Sequence, residues 1–146
     1  MAARREIVIL EDDPRRRAAM RAVSADRLPA HPPRFFATAP EAARYFADRP
    51  GRAAVVVLDH DLDPIPVYPR RAPDAGTGRD VADLLAARPP ARPVVIHSTN
   101  RPAAAGMERV LTEAGWAVSA VVPHGGLEWV GTDRVRAVCD AADSAA

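Results

Sequence analysis

The stretch VVVLDHDLDP, residues 55–64, joins a run of apolar residues to a cluster of charged ones. The apolar run begins at Ala53 and is typical of a central strand in a parallel sheet, because helices cover both faces of such a strand. Asp59, His60 and Asp61 follow it directly, so the strand would deliver two carboxylates and an imidazole to one point. In open α/β sheets, ligands bind outside the carboxyl ends of the strands. The stretch therefore predicts both a fold class and the position of a functional site.

Two further stretches repeat this arrangement. IVILEDDP ends an apolar run in Glu11 and Asp12, and VVIHSTN ends one in His97, Thr99 and Asn100. Carboxylates that are brought together without partners repel one another and raise one another's pKa. Their presence at one rim predicts a bound cation or proton-transfer chemistry.

Short apolar runs alternate with helical patterns along the chain. The predicted strands are residues 6–10, 34–37, 53–58, 93–96 and 116–122. The predicted helices are residues 14–26, 38–48, 78–87, 103–114 and 132–142. This alternation predicts an α/β fold with one doubly wound, five-stranded parallel sheet and helices on both faces.

Length and charge bound the remaining possibilities. The 146 residues fit a single domain, 1–146, and the balance of 20 basic against 19 acidic residues argues against a sequence-specific DNA-binding surface. No apolar run is long enough for a membrane span, so a cytoplasmic location is expected. Residues 63–77 are rich in Pro and Arg and predict an extended loop near the site.

Several notable residues have simple structural interpretations. Asp13 before Pro14 predicts a helix N-cap. The run Arg15, Arg16 and Arg17 is typical of a solvated helix face. Trp129 is interpreted as a packing residue.

The motifs resemble the CheY-like receiver domain of two-component signalling. ILEDDP resembles the first strand with its acidic metal-binding pair, which would be Glu11 and Asp12. VVVLD places Asp59 where receivers carry the phosphoryl-accepting aspartate, and PVVIHS places Ser98 at the position of the hydroxyl switch residue. The resemblance implies a flavodoxin-like sheet in the strand order 2-1-3-4-5.

The departures from that pattern resemble a variant family more closely. Val122 stands where receivers carry a Lys that grips the phosphoryl group, while His60 and His97 stand where receivers do not normally have histidine. The motifs LDHDLD, GTGRDVADLL and VIHSTN resemble the cyclic-phosphate-processing receiver domains. That resemblance implies activity on cyclic phosphates of nucleotides or RNA ends. The residues that it carries over are Glu11, Asp12, Asp59, His60, Asp61, His97, Thr99 and Asn100.

These observations together predict a phosphoesterase for cyclic or terminal phosphates, acting on a phosphate-containing small molecule or an RNA end. Opening a cyclic phosphate needs a base for water and an acid for the leaving oxygen, and imidazoles suit both tasks. The expected catalytic residues are His60, His97, Asp59 and Thr99. The expected substrate-binding residues are Asn100, Arg70, Arg71, Arg79, Arg101 and His124. The expected ligands of a divalent metal, Mg²⁺ or Mn²⁺, are Glu11, Asp12, Asp59 and Asp61.

Two alternatives remain open. The first is an atypical receiver domain in signalling or protein interaction, phosphorylated on Asp59 or degenerate. The second is a transition-metal hydrolase that uses His60, Asp61, His97 and His124. The exact substrate and the oligomeric state do not follow from the sequence.

Overall fold

The computed structural model describes residues 4–62, 74–123, 127 and 129–144. A five-stranded parallel sheet forms its centre, in the order β2-β1-β3-β4-β5. The strands are β1 (Glu6–Leu10), β2 (Pro33–Phe36), β3 (Ala53–Leu58), β4 (Val94–His97) and β5 (Val118–Val121). The predicted fold class and strand order are therefore confirmed.

Five α-helices connect and cover these strands. They are α1 (Pro14–Arg27), α2 (Ala39–Asp48), α3 (Gly78–Ala86), α4 (Arg101–Glu113) and α5 (Val135–Ser144). A π-helical turn at Val130–Arg134 leads into α5, and the sequence did not predict it. Within the described ranges, no helix is long and apolar enough to cross a membrane.

The sheet separates two apolar cores. Side chains of successive strand residues point to opposite faces, so each strand supplies both cores. One core lies between the sheet and α2, α3 and α4, with Leu58 and Ile96 among its strand residues. The other lies between the sheet and α1 and α5, with Ile9, Val57 and Val95. The fully apolar strands are explained by this burial on both faces.

The helix starts follow from polar caps. Asp13 accepts hydrogen bonds from the backbone N–H groups of Arg15 and Arg16, which confirms its predicted role. Helix α4 begins at Arg101, two residues before the predicted start, because the Asn100 side chain accepts a hydrogen bond from the Ala103 backbone N–H.

Candidate functional site

Three side chains form a row across the central strands. Leu58, the last residue of β3, pairs with the residue directly before Glu11 on β1 and with the residue directly before His97 on β4. Asp59 follows Leu58, so it lies between Glu11 and His97. Because side chains alternate along a strand, all three continue the rows that face α1 and α5. The prediction that strand ends bring these residues together is therefore consistent with the register.

Arg16 contacts two members of this row. Its Nη2 atom lies 2.8 Å from Oε1 of Glu11 and 3.4 Å from Oδ2 of Asp59. The interpretation of Arg16 as part of a solvated helix face is wrong, because the first turn of α1 directs this side chain onto the carboxylates. The only sequence signal was its place in that turn, beside Asp13.

Glu11 is fully buried and has three hydrogen-bond donors. Arg16 and the backbone N–H of Asp13 donate to Oε1, and the Nε2 atom of His97 lies 2.9 Å from Oε2. Burial opposes ionisation of Glu11, but the hydrogen bonds from His97 and Arg16 outweigh it and lower its pKa to about 2. Glu11 is therefore a carboxylate at neutral pH.

His97 is buried beside this carboxylate. Burial lowers the pKa of His97 below its usual value, so the neutral ring donates its Nε2–H to Glu11. The Nδ1 atom then carries the lone pair, and it has no hydrogen-bond partner among the described residues. Trp129 packs against the ring, with 5.5 Å between the ring centroids, and is 2% exposed. The packing role predicted for Trp129 is confirmed.

Asp59 is the second buried carboxyl group. Burial, followed by the charge of Glu11, raises the pKa of Asp59 to about 7. The backbone N–H of His60 donates to its Oδ1 atom at 2.7 Å, and Arg16 reaches its Oδ2 atom. Asp59 therefore exchanges a proton in the neutral pH range, as proton-transfer groups do.

His60 forms a separate pair with Asp61. The Nδ1 atom of His60 lies 2.7 Å from Oδ1 of Asp61, and the Asp61 side chain is 62% exposed. The side-chain amide of Asn100 lies 3.5 Å from both carboxylate oxygens of Asp61. Asn100 is thus both the cap of α4 and a polar group beside this pair.

A close backbone approach fixes the segment that carries His60. The N–H of Gly78 donates to the carbonyl oxygen of His60 at 2.9 Å, and Asp61 forms an isolated bridge with Thr77. A Cβ atom at position 78 would lie 1.8 Å from the Asp59 carbonyl oxygen, so only glycine fits there. The start of α3 therefore holds the residues that follow β3.

The other predicted site residues have varied positions. Thr99 is exposed after β4, and Arg101 is exposed at the start of α4. Arg79 is paired with Asp83 on the surface of α3, at 2.7 Å. Arg70, Arg71 and His124 lie outside the described residues. The substrate-binding roles of all these residues stay predictions.

The donor set at the row fits a divalent cation in its chemistry. Glu11, Asp59 and His97 each offer a ligand atom, and these atoms lie within 4.8 Å of one another. Two carboxylates with one imidazole suit Mn²⁺ or a similar ion better than Mg²⁺, which prefers oxygen ligands. Asp12 is half-buried and Asp61 is exposed beside His60; neither belongs to this set. The metal and its ligands stay a prediction.

Sequence reasoning missed Arg134, the last residue of the π-helical turn. Its side chain is fully buried, and Nε, Nη1 and Nη2 have no hydrogen-bond partner in the described part of the chain. Burial lowers the pKa of Arg134 to about 10, and the nearby carboxylate of Glu11 opposes this change. No motif marked this residue, because its burial depends on the turn that precedes α5.

Comparison with known proteins gives one family and one fold. A family model described as the cyclic-phosphate processing receiver domain matches residues 7–113. The chain is similar to a response regulator receiver domain from Rhodospirillum rubrum, with 22% identity, a TM-score of 0.66 and coverage of 91% of this chain and 89% of that one. It is also similar to the phosphorylated cyanobacterial phytochrome response regulator RcpA, with 18% identity, a TM-score of 0.71 and coverage of 99% and 97%. At these identities the structural likeness shows the fold alone. No curated protein matches the chain.

Proposed function

Because the chain belongs to the family of cyclic-phosphate processing receiver domains, we propose that it is a phosphoesterase for cyclic or terminal phosphates of nucleotides or RNA ends. The observation that carries the proposal is a pair of imidazole–carboxylate contacts at the carboxyl ends of the central strands. His97 is hydrogen-bonded to Glu11, and His60 is hydrogen-bonded to Asp61. An imidazole held by a carboxylate is a common arrangement for proton transfer, because the carboxylate fixes the ring and balances its charge.

The reaction has a simple balance of bonds and protons. In hydrolysis of a 2′,3′-cyclic phosphate, a water oxygen forms a bond to phosphorus and one ring P–O bond breaks. A base takes a proton from the water, and an acid gives a proton to the departing sugar oxygen. Exchange of protons with solvent then restores both groups.

The two histidines suit opposite roles in that step. His97 is the base in this proposal, because its Nδ1 lone pair has no partner among the described residues; that atom is buried, so the attacking water has to enter the site to reach it. His60 has the exposed Asp61 carboxylate beside it, which balances the charge of a protonated ring, so it is the acid. Thr99 and Asn100, which follow β4, are proposed to donate hydrogen bonds to the phosphate oxygens.

A divalent ion that displaced the Arg16 guanidinium from the carboxylates would neutralise charge on the phosphoryl oxygens, and Glu11, Asp59 and His97 are the residues that would hold it. His97 would then be a ligand, so its role as the base belongs to the site without metal. Among the arginines expected at the substrate, Arg79 and Arg101 are exposed at the starts of α3 and α4.

The proposal is tested by hydrolysis of 2′,3′-cyclic nucleotides and of RNA ends that carry a cyclic phosphate, with divalent metal and with chelator. We expect turnover by the wild type and a loss of roughly 100-fold to 10,000-fold in His60→Gln or His97→Gln. If both groups serve one step, the double variant should be scarcely worse than the worse single variant.

His31→Gln is the matched control. This histidine contacts the carbonyl oxygen of Arg5 just before β1, at the opposite end of the strands, so its loss should leave turnover unchanged. Folded His60 and His97 variants that cleave like the wild type would contradict the imidazole mechanism. An absence of turnover on every cyclic or terminal phosphate would favour the second candidate.

That second candidate is an atypical receiver in signalling or protein interaction. It is favoured by the position of Asp59 at the end of the central strand, next to Glu11. It is disfavoured by Val122, which offers no charge to a phosphoryl group at the position of the receiver Lys.

A further inference from the structure

The guanidinium of Arg16 lies where the charge of a cation is needed. Its Nη2 atom is 2.8 Å from Glu11 and 3.4 Å from Asp59, two of the three residues that would ligate a divalent ion. The Glu11 side chain has no exposed surface, whereas that of Arg16 is 34% exposed. Arg16 therefore reaches from the rim of the site onto a fully buried charge.

Glu11 needs a counter-ion, because a buried carboxylate is costly unless it is paired and hydrogen-bonded. His97 meets part of the hydrogen-bonding need, and Arg16 brings a permanent positive charge to the same carboxylate. The contact is a charge-assisted hydrogen bond of good length, which is the stronger kind. Helix α1 thus supplies, through Arg16, the positive charge that a bound metal ion would otherwise supply.

We propose that Arg16 is the resident cation of this site and takes the place of a divalent metal. A metal ion beside the same carboxylates would meet a like charge at short range, so the two cations compete. The Arg16 side chain is 34% exposed, so its guanidinium can also donate to a phosphate oxygen at the rim of the site. The inference rests on the proposed function for its phosphate ligand, but the competition with metal is independent of turnover.

The test is a titration with Mn²⁺, in which the electron paramagnetic resonance signal of the free ion measures how much has bound. The wild type is expected to bind Mn²⁺ weakly. Arg16→Gln is expected to bind it at least ~10-fold more tightly, because a like charge is removed from beside the carboxylates. Arg16→Lys keeps the charge and should bind as weakly as the wild type.

Arg15→Gln is the matched control, since it removes the same charge from the same helical turn at an exposed position. It should leave Mn²⁺ affinity unchanged. Equal Mn²⁺ affinity in the wild type and Arg16→Gln would overturn the proposal. So would an equal gain in Arg15→Gln, which would mean that only net charge matters.

Arg16→Gln could also be too unstable to fold in chelator. In that case, recovery of the native circular dichroism on addition of Mn²⁺ supports the proposal, and no recovery contradicts it. A failure of the proposed function gives a different result. No hydrolysis would be found, but the Mn²⁺ affinity would still depend on whether residue 16 carries a positive charge. If turnover is found, it should persist in chelator and fall in Arg16→Gln.

Discussion

At Asp59, burial and the neighbouring Glu11 carboxylate both disfavour a negative charge. The usual pKa of 3.8 is raised to about 7 in the folded chain. The folded state therefore holds a proton that the unfolded state has lost, and the free energy of unfolding falls as the pH rises from about 4 to about 7. A group that costs stability at neutral pH is typical of a functional site.

Asp59→Asn is expected to raise the stability of the metal-free protein. Each pKa unit corresponds to ~1.4 kcal/mol, so a gain of about 1–4 kcal/mol is expected above pH 7. The gain should vanish below about pH 3, where wild-type Asp59 is protonated in both states. Urea unfolding of both proteins across this pH range measures the difference. A variant that is less stable than the wild type at pH 8 would contradict the prediction.

The sequence predicted the residues of this site that directly follow strands. Glu11 and Asp59 directly follow buried strands and His97 ends one, so parallel pairing brings them together. Arg16 and Arg134 could not be found in this way. Which of three consecutive arginines turns inward depends on the phase of α1, and the burial of Arg134 depends on a π-helical turn that has no sequence signature.

Among the elements, α3 shows how closely a helix can approach the site. The sequence predicted a helix from residue 78, and the structure adds that Gly78 lies against the backbone of Asp59. On helix propensity alone, alanine would be the better residue by about 1 kcal/mol. A Cβ atom at 1.8 Å from a carbonyl oxygen outweighs that gain, because backbone atoms cannot move aside cheaply.

Gly78→Ala is therefore expected to destabilise the fold by roughly 2–3 kcal/mol. It should also disturb the segment with Asp59 and His60, so ligand binding should weaken along with stability. Gly51→Ala is the control, because nothing lies within 4 Å of a Cβ atom at that turn. Thermal unfolding of both variants shows whether the steric clash or the helix propensity of alanine has the larger effect on stability. Equal unfolding midpoints for the two would show that the close approach does not matter.

On the scale of the whole molecule, the pattern of apolar runs was sufficient for the fold. Five βα units predicted the parallel sheet, and the receiver-like motifs predicted its order, which the structure confirms. Boundaries were less predictable: β5 runs only from Val118 to Val121, and a π-helical turn replaces the first residues expected in the last helix. These details depend on packing against the sheet rather than on local pattern.

The residue that follows β5 distinguishes this protein from a phosphorelay receiver. Small phosphodonors such as acetyl phosphate are expected to give no long-lived phospho-Asp59, because Val122, directly after β5, cannot hold the phosphoryl oxygens. Intact-mass measurement after donor treatment tests this. A stable phosphoryl adduct that disappears in Asp59→Asn would instead support a signalling role.

The row of Glu11, Asp59 and His97 places a constraint on how this chain can change length. Each of the three faces α1 and α5 because of its parity along a strand, so a deletion of one residue inside β3 would turn Asp59 away and present its neighbour instead. Loops outside the strands are free of this rule, which is consistent with the long segment after Asp61. A strand that leads to the site can change by an odd number of residues only where a bulge absorbs the difference, as the register shift between β1 and β3 does at Glu6 and Ile7.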